Sequence, residues 1–288
     1  MKIIYNVSEM QIEMKKYQDK VIGFVPTMGF LHEGHLSLID ESVKVNDITV
    51  LSIFVNPLQF GPNEDYDSYP RDLKKDEDLA RNHAVDILFI PQSNSMYPEK
   101  LIFSITVLER TQVLCGKNRP GHFDGVVTVL TKLFNIINPD IAYFGMKDAQ
   151  QLAIVHSFVE QFNFRVKIVG LRTIRESSGL AKSSRNVNLT PEEIISASGL
   201  SQALFSASDL IQSGVKGKQD IIDHVKNKFS ITNKNIDLEY VELLSYPKLE
   251  EIEEVADLAV LAVAVKYSEA RLIDNLILTA DGEIMTRF

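Results

Sequence analysis

The sequence predicts an α/β protein: a doubly wound, mostly parallel, Rossmann-like sheet followed by a smaller C-terminal α+β domain. Three observations predict it. Short apolar runs alternate with amphipathic stretches over the first roughly 180 residues. Three polar segments bearing His, Lys, Ser and Arg fall at the ends of those runs, where open α/β sheets place ligands. The pattern changes after Asn186 to long helices and then strands. The expected domains are therefore residues 1–186 and 187–288.

The candidate strands of the first domain are Val21–Val25, Ile48–Val55, Asp86–Ile90, Ile102–Val107, Ile141–Phe144 and Val166–Val169. The first, Val-Ile-Gly-Phe-Val, is apolar throughout, as in a strand buried on both faces. The candidate helices are Ser8–Tyr17, His35–Val45, Arg71–Asn82, Gly125–Ile137 and Asp148–Phe162. Within the second, Leu36 to Val43 shows the 3–4 spacing of an amphipathic helix. Residues Asn56–Pro70 are rich in Pro, Asn, Asp, Gly and Tyr and read as a long loop after a strand. In the second domain Thr190-Pro191-Glu192-Glu193 is a helix start: a Thr cap, Pro at the first position, acids in the first turn. That helix runs to about Ile211, and a second, Gln219–Phe229, follows the Gly214/Gly217 break. Strands are expected at Asp237–Leu244, Leu258–Tyr267 and Arg271–Leu278. There is no internal repeat.

Composition narrows the function classes. The chain has 288 residues, 45% hydrophobic and 24% charged, with a formal net charge of -9. This is ordinary for a soluble globular protein. No stretch concentrates Lys and Arg as a nucleic-acid surface does, so no nucleic-acid partner is expected. No apolar run approaches the ~20 residues of a membrane span, and no signal peptide is read at the N-terminus. One cysteine, Cys115, excludes an intramolecular disulfide and fits a reducing cytoplasm. An acidic chain that binds an anion needs a local basic site, which gives weight to its few well-placed cations.

The most informative segment is Pro26-Thr27-Met28-Gly29-Phe30-Leu31-His32-Glu33-Gly34-His35, which joins the first full strand to a helix. A helix N-terminus presents free N–H groups and a positive dipole end, which suits phosphate. Two imidazoles there add donors for phosphoryl oxygens as charge develops. Two other readings stand beside this one. The histidines are half of a metal site, although Leu36 breaks the His-Glu-x-x-His spacing of zinc proteases. Or they merely cap the helix. Two further clusters tip the balance: Phe144-Gly145-Met146-Lys147-Asp148-Ala149-Gln150-Gln151, and Gly179-Leu180-Ala181-Lys182-Ser183-Ser184-Arg185-Asn186. Alone, each reads as a solvated loop. Together they combine hydroxyl donors with Lys and Arg, the chemistry of a phosphate site. His83, His122, His156 and His224 lie in unremarkable contexts.

With these stretches the chain resembles the pantoate–β-alanine ligases (pantothenate synthetases) of the nucleotidyltransferase superfamily. The matching segments are Pro26–His35, Ser52–Gly61, Asp67–Arg71, Arg119–Gly125, Phe144–Gln151, Gly179–Asn186 and Lys266–Leu276, in family order. The resemblance implies a two-step reaction. Pantoate carboxylate attacks the α-phosphorus of ATP, releasing pyrophosphate and leaving an enzyme-bound pantoyl adenylate. The β-alanine amine then displaces AMP. It implies catalytic roles for His32, His35, Lys147 and Arg185, with His35 as proton donor. It implies an ATP site of Met28, Gly29, Phe30, Leu31, His32, Glu33, Gly34, His35, Gly145, Met146, Lys147, Asp148, Ile174, Lys182, Ser183, Ser184 and Arg185. Gln59 and Gln151 would bind (R)-pantoate, and Gln59 would border β-alanine. Mg²⁺ would travel with ATP, on unassigned ligands. A cytoplasmic homodimer is implied, with a C-terminal domain that closes over the site.

The chain departs from the family pattern at a few positions. Phe30 stands where many relatives carry Ala, Met146 replaces a polar residue, and Lys182 stands for Met or Leu, adding a cation beside the phosphates. Near the presumed Mg²⁺ site, Lys74-Lys75-Asp76 replaces a run of acids, leaving Asp76 alone as a candidate. Two other functions remain open at this stage: a nucleotidyltransferase that keeps the nucleotide on its acceptor, and a nucleotide sensor without turnover.

Overall fold

The computed structural model describes residues 1–62, 64–232 and 238–288. Asn63, in the expected loop Asn56–Pro70, and Asp237, first residue of the expected strand Asp237–Leu244, lie outside the described residues. The chain packs into two compact units. The first comprises Met1–Glu109, Arg119–Phe144 and Ile154–Leu171; the second comprises Arg110–Asn118, Gly145–Ala153 and Arg172–Phe288. The second unit takes in Arg110–Asn118, Gly145–Ala153 and residues 172–186 along with 187–288. Local hydrogen bonds explain why. Gln150 donates to the carbonyls of Arg110 and Val113. Asn275 donates to those of Met146 and Lys147.

The first unit holds a six-stranded sheet of β1 (Lys2–Ile4), β2 (Ile22–Thr27), β3 (Ile48–Ile53), β4 (Ile87–Phe89), β5 (Ile141–Gly145) and β6 (Lys167–Leu171). Their spatial order is β1-β4-β3-β2-β5-β6. The β1/β4, β4/β3, β3/β2 and β2/β5 pairs are parallel. The order reverses direction at β2, which makes its carboxyl end the topological switch point. The three-residue β1 was not expected; so short a run carries no periodicity to read.

The helices, in chain order, are α1 (Val7–Met14), α2 (Glu33–Val45), α3 (Leu73–Asn82), α4 (Ser93–Met96), α5 (Leu114–Lys117), α6 (His122–Ile137), α7 (Ala149–Gln161), α8 (Pro191–Gln212) and α9 (Lys218–Thr232). Caps set several of their starts. The Asn6 side chain accepts from the Ser8 and Glu9 N–H groups, and that of Asp72 accepts from Lys75. Thr190 and Glu193 form the reciprocal capping box, typically stabilising a helix by about 1 kcal/mol. In the first unit Val25, Leu51, Ile53 and Leu88 from the strands pack with Leu38 and Ile39 of α2.

The second unit pairs α8 and α9 with an antiparallel sheet of β7 (Leu238–Ser245), β8 (Ala259–Lys266) and β9 (Arg271–Leu278), in that order. Helix α8 is long and apolar enough by composition to cross a membrane. Its Leu200, Leu204, Ala207 and Ile211 instead fill the core with Leu243, Leu261, Val263 and Leu276 of the sheet.

One expected strand is absent. Residues of Ile102–Val107 form no regular element and belong to no sheet, and Ile102 and Phe103 are 87% and 83% exposed. β propensity records fit to a pleated, half-buried surface, and among the described residues of the first unit no neighbouring strand supplies one. The Val107 N–H is taken instead by the Asp124 carboxylate at 2.8 Å.

Candidate active site

At the end of β2 the chain makes a tight turn before entering α2. Thr27 Oγ1 donates to the Ser52 carbonyl of β3 at 2.7 Å and accepts from the Gly29 N–H at 3.2 Å. Gly29 and Phe30 both adopt left-handed backbone, with φ of 84° and 51°. Glycine does so freely, whereas a side chain costs about 1–2 kcal/mol. The turn aims the Phe30 and Leu31 N–H groups at one carboxylate, Asp76 of α3, at 2.8 and 2.7 Å. Asp76 is 1% exposed. Burial pushes its carboxyl above the ordinary aspartate range, against the pull of those two N–H groups. A cavity of about 360 Å³ lies beside the turn, lined by Met28, Phe30, Ile53, Arg71, Asp76 and Gln92 among others.

His32 is the N-cap of α2, and its Nδ1 accepts the Gly34 N–H at 3.1 Å. Acceptance at Nδ1 places the neutral ring's proton on Nε2. The His35 ring lies 4.0 Å from that of His32, tilted by 31°. Capping and ligand binding are therefore compatible: one nitrogen satisfies the helix end while the other is a donor. Both rings stand at the N-terminus of a 13-residue helix, where the dipole favours an anion.

Gln59 ends a short 3₁₀ turn, Pro57–Gln59, and is nearly buried. Its side-chain N–H meets Met28 Sδ at 3.1 Å, and its Oε1 accepts from Asn56 at 3.2 Å. Asn56, 1% exposed, also donates to the Gly125 carbonyl and accepts from the Tyr97 hydroxyl. α6 runs directly against this turn: a Cβ on Gly125 would sit 2.3 Å from the Leu58 carbonyl oxygen. The Gln59 carbonyl accepts from His122 Nδ1 at 2.8 Å and from Arg119 at 3.3 Å. His122 Nδ1 thus carries the proton, and Nε2 accepts from Arg119 at 3.1 Å. Arg119 also grips Glu64 with two nitrogens. Burial opposes the charge on Glu64, but the Arg119 hydrogen bonds and charge outweigh it and hold the carboxyl below its ordinary range.

The sequence reading therefore missed Asn56, Tyr97, Arg119 and His122. The only available signal was that Ser52–Gly61 and Arg119–Gly125 are both family-like stretches. Their pairing in space is invisible along the chain. Among the described residues no group of three or more His, Cys, Asp or Glu is arranged to hold a metal.

The remaining expected residues lie in the second unit. Gly145 leads into a 3₁₀ turn, Met146–Asp148, with Met146 buried beneath it. The Asn275 amide of β9 donates to the Met146 and Lys147 carbonyls at 3.1 and 2.6 Å. Of the adjacent glutamines, Gln150 is consumed by backbone: it donates to Arg110 and Val113 and accepts from Gly116. Gln151 is half-buried.

Ile174 and Lys182 are brought together, the Lys182 N–H donating to the Ile174 carbonyl at 2.9 Å. Arg175 fixes this hairpin, binding Asp274 of β9 bidentately at 2.6 and 2.9 Å and the Gly179 carbonyl at 3.1 Å. Lys182 Nζ pairs with Glu176 at 2.7 Å, so much of the extra cation expected from sequence is balanced within the hairpin. Ser183 Oγ accepts from the Arg185 N–H and caps the 3₁₀ turn Ser184–Asn188.

The pantoate–β-alanine ligase family model matches residues 2–277. The chain belongs to the pantoate–β-alanine ligase family. It is 51% identical over 278 residues to the pantothenate synthetase of Geobacillus thermodenitrificans, covering 96% of each chain. It is 51% identical over 280 residues to that of Bacillus subtilis, covering 96% of this chain and 97% of the other. The crystal structure of pantothenate synthetase from Thermus thermophilus superposes with a TM-score of 0.91 at 39% identity, covering 96% and 99%. A Francisella tularensis pantoate–β-alanine ligase, complexed with beta-gamma ATP and beta-alanine, gives 0.79 at 34% identity, covering 96% and 97%. The family's reaction is ATP-dependent ligation of pantoate and β-alanine through an adenylate, and this chain is an enzyme of that family. A transferase that retains the nucleotide on its acceptor is thereby set aside.

Proposed function

We propose that Met28–His35, Gly145–Asp148, Ile174 and Lys182–Arg185 hold ATP, and that Gln59 and Gln151 bind (R)-pantoate, Gln59 also bordering β-alanine. The observation that carries this reading is the tautomer of His32: a capped helix N-terminus with an Nε2–H donor and a second imidazole beside it. In the first step a pantoate carboxylate oxygen bonds to the α-phosphorus and the bond to the β-phosphate oxygen breaks. Such a transfer needs alignment and charge neutralisation more than covalent help. His32, His35, Lys147 and Arg185 supply donors and charge, His35 giving a proton to the departing side. In the second step the β-alanine amine bonds to the acyl carbon, the bond from that carbon to the AMP phosphate oxygen breaks, AMP leaves, and the proton lost by the nitrogen passes to water. The Asn56–Tyr97 and Arg119–His122 hydrogen bonds hold Gln59 still while this happens.

Mg²⁺ enters with ATP as part of the substrate. This fits the donor set: no three-ligand cluster is present among the described residues, and both Asp76 oxygens already accept backbone N–H groups. A cytoplasmic location is in keeping with a chain whose single cysteine, Cys115, is buried and in no disulfide.

The enzyme is a homodimer in this proposal, with the exposed Ile102, Phe103 and Leu108 covered by a second copy. Three large apolar side chains exposed within seven residues suit burial against a second copy about a two-fold axis. Light scattering on Phe103→Lys checks this; a wild-type monomer removes the proposal.

The test of the reaction is pyrophosphate release with MgATP, adding (R)-pantoate and then β-alanine. Pantoate-dependent pyrophosphate followed by β-alanine-dependent AMP is the expected result. Folded, ATP-binding protein that releases no pyrophosphate with pantoate would overturn it.

A further inference from the structure

We infer that Asp76 is a positioning residue of the adenylation step, which sets the Met28–His35 turn by accepting two consecutive backbone N–H groups and does not ligate Mg²⁺. The inference rests on the proposed role of that turn in holding ATP. Four observations converge on it. Each Asp76 oxygen has its own donor, Phe30 N–H at 2.8 Å and Leu31 N–H at 2.7 Å. The carboxylate is 1% exposed and sits in the first turn of α3, a separate element 45 residues along the chain from Leu31. The turn it holds is strained, because Phe30 is left-handed without being glycine. The approach is also close: a Cβ on Gly29 would meet Asp76 Oδ2 at 3.0 Å and Ile53 at 2.9 Å.

Hydrogen bonds to an ionised acceptor are roughly twice as strong as neutral ones, and a buried N–H left without an acceptor is costly. Asp76 therefore offsets the strain of the turn and fixes where His32 begins α2. Two residues beyond Phe30, the imidazole of His32 takes its capping position. Lys75 reinforces the arrangement from the neighbouring helical position, its Nζ lying 5.7 Å from the Phe30 ring centre.

Asp76→Asn keeps the shape but presents at most one acceptor and adds a donor facing an N–H. Pantoate-dependent ATP–pyrophosphate exchange should fall at least about tenfold in kcat with the pantoate KM little changed, at a temperature where circular dichroism shows the variant folded, and its thermal midpoint should be lowered by the unpaired buried N–H. Hydrogen exchange should accelerate at the Phe30 and Leu31 amides and not across α3. Raising Mg²⁺ should restore nothing. Wild-type kcat in Asp76→Asn, or recovery at high Mg²⁺, would overturn the inference, the latter in favour of a metal ligand. If Asp76→Asn does not fold, the wild-type amides decide: slow exchange at Phe30 and Leu31 without any substrate supports the clamp, and fast exchange at both removes it. That readout is independent of turnover, so it separates failure of the clamp from failure of the proposed reaction.

Discussion

The side-chain amide of Asn275 donates to the carbonyl of Lys147 at 2.6 Å and to that of Met146 at 3.1 Å. A residue near the end of the chain thus shapes the backbone of the proposed phosphate lysine. Asn275→Ala leaves both carbonyls short of a donor, at a cost of about 1–3 kcal/mol if they stay buried. The ATP KM should rise while the β-alanine KM holds. Kinetics in which both substrates respond equally would contradict a role confined to the Met146–Asp148 turn.

His35→Ala should lower adenylate formation by about two to three orders of magnitude with an unchanged circular dichroism spectrum. His32→Ala should differ from it: it also loses the helix cap, so stability should drop by about 1 kcal/mol as well. Equal denaturant midpoints for the two variants would argue against the capping hydrogen bond.

Lys147→Ala and Gln59→Ala should separate the substrates. The first should impair ATP use, the second pantoate use, since the Gln59 amide is already oriented by Asn56 and Met28. Steady-state kinetics with each substrate varied in turn makes the comparison. An unchanged pantoate dependence in Gln59→Ala would remove that residue from the pantoate site.

Glu64 gives a pH signature. Its carboxyl titrates below the ordinary glutamate range because Arg119 outweighs the cost of burial. With a folded pKa below the unfolded one, its stabilisation is complete above the unfolded value and is lost as pH falls through the folded value. The stability gap between wild type and Glu64→Gln, from urea unfolding, should therefore be full at neutral pH and shrink in strong acid. A gap that is the same at both would show that the Arg119–Glu64 pair carries no linkage.

Much of this architecture was legible along the chain. The strand expected at Val21–Val25 and found at Ile22–Thr27, and the helix expected from His35 and found from Glu33, follow from an apolar run and a 3–4 spacing. Thr190-Pro191 announces α8 through a cap whose partners are local. What stayed hidden depends on distance. Asp76 read as a possible Mg²⁺ candidate because its two donors lie more than forty residues away. His122 read as unremarkable because its partner is a carbonyl sixty-three residues upstream. Ile102–Val107 read as a strand because composition reports the propensity to pair, not the presence of a neighbour. Lys182 read as an added phosphate cation because Glu176, six residues earlier, joins it only once the hairpin closes.

The second unit is assembled from three separated segments, the last of which ends at Phe288. During synthesis the Lys147 turn and the Arg175 hairpin leave the ribosome well before the strand that carries Asp274 and Asn275. Until it does, neither the Arg175 hairpin nor the Lys147 turn has its side-chain anchor. A chain cut ahead of β9 would therefore hold the Arg175 hairpin and the Lys147 turn without the side chains that pin them, so truncation would loosen two loops far upstream of the cut.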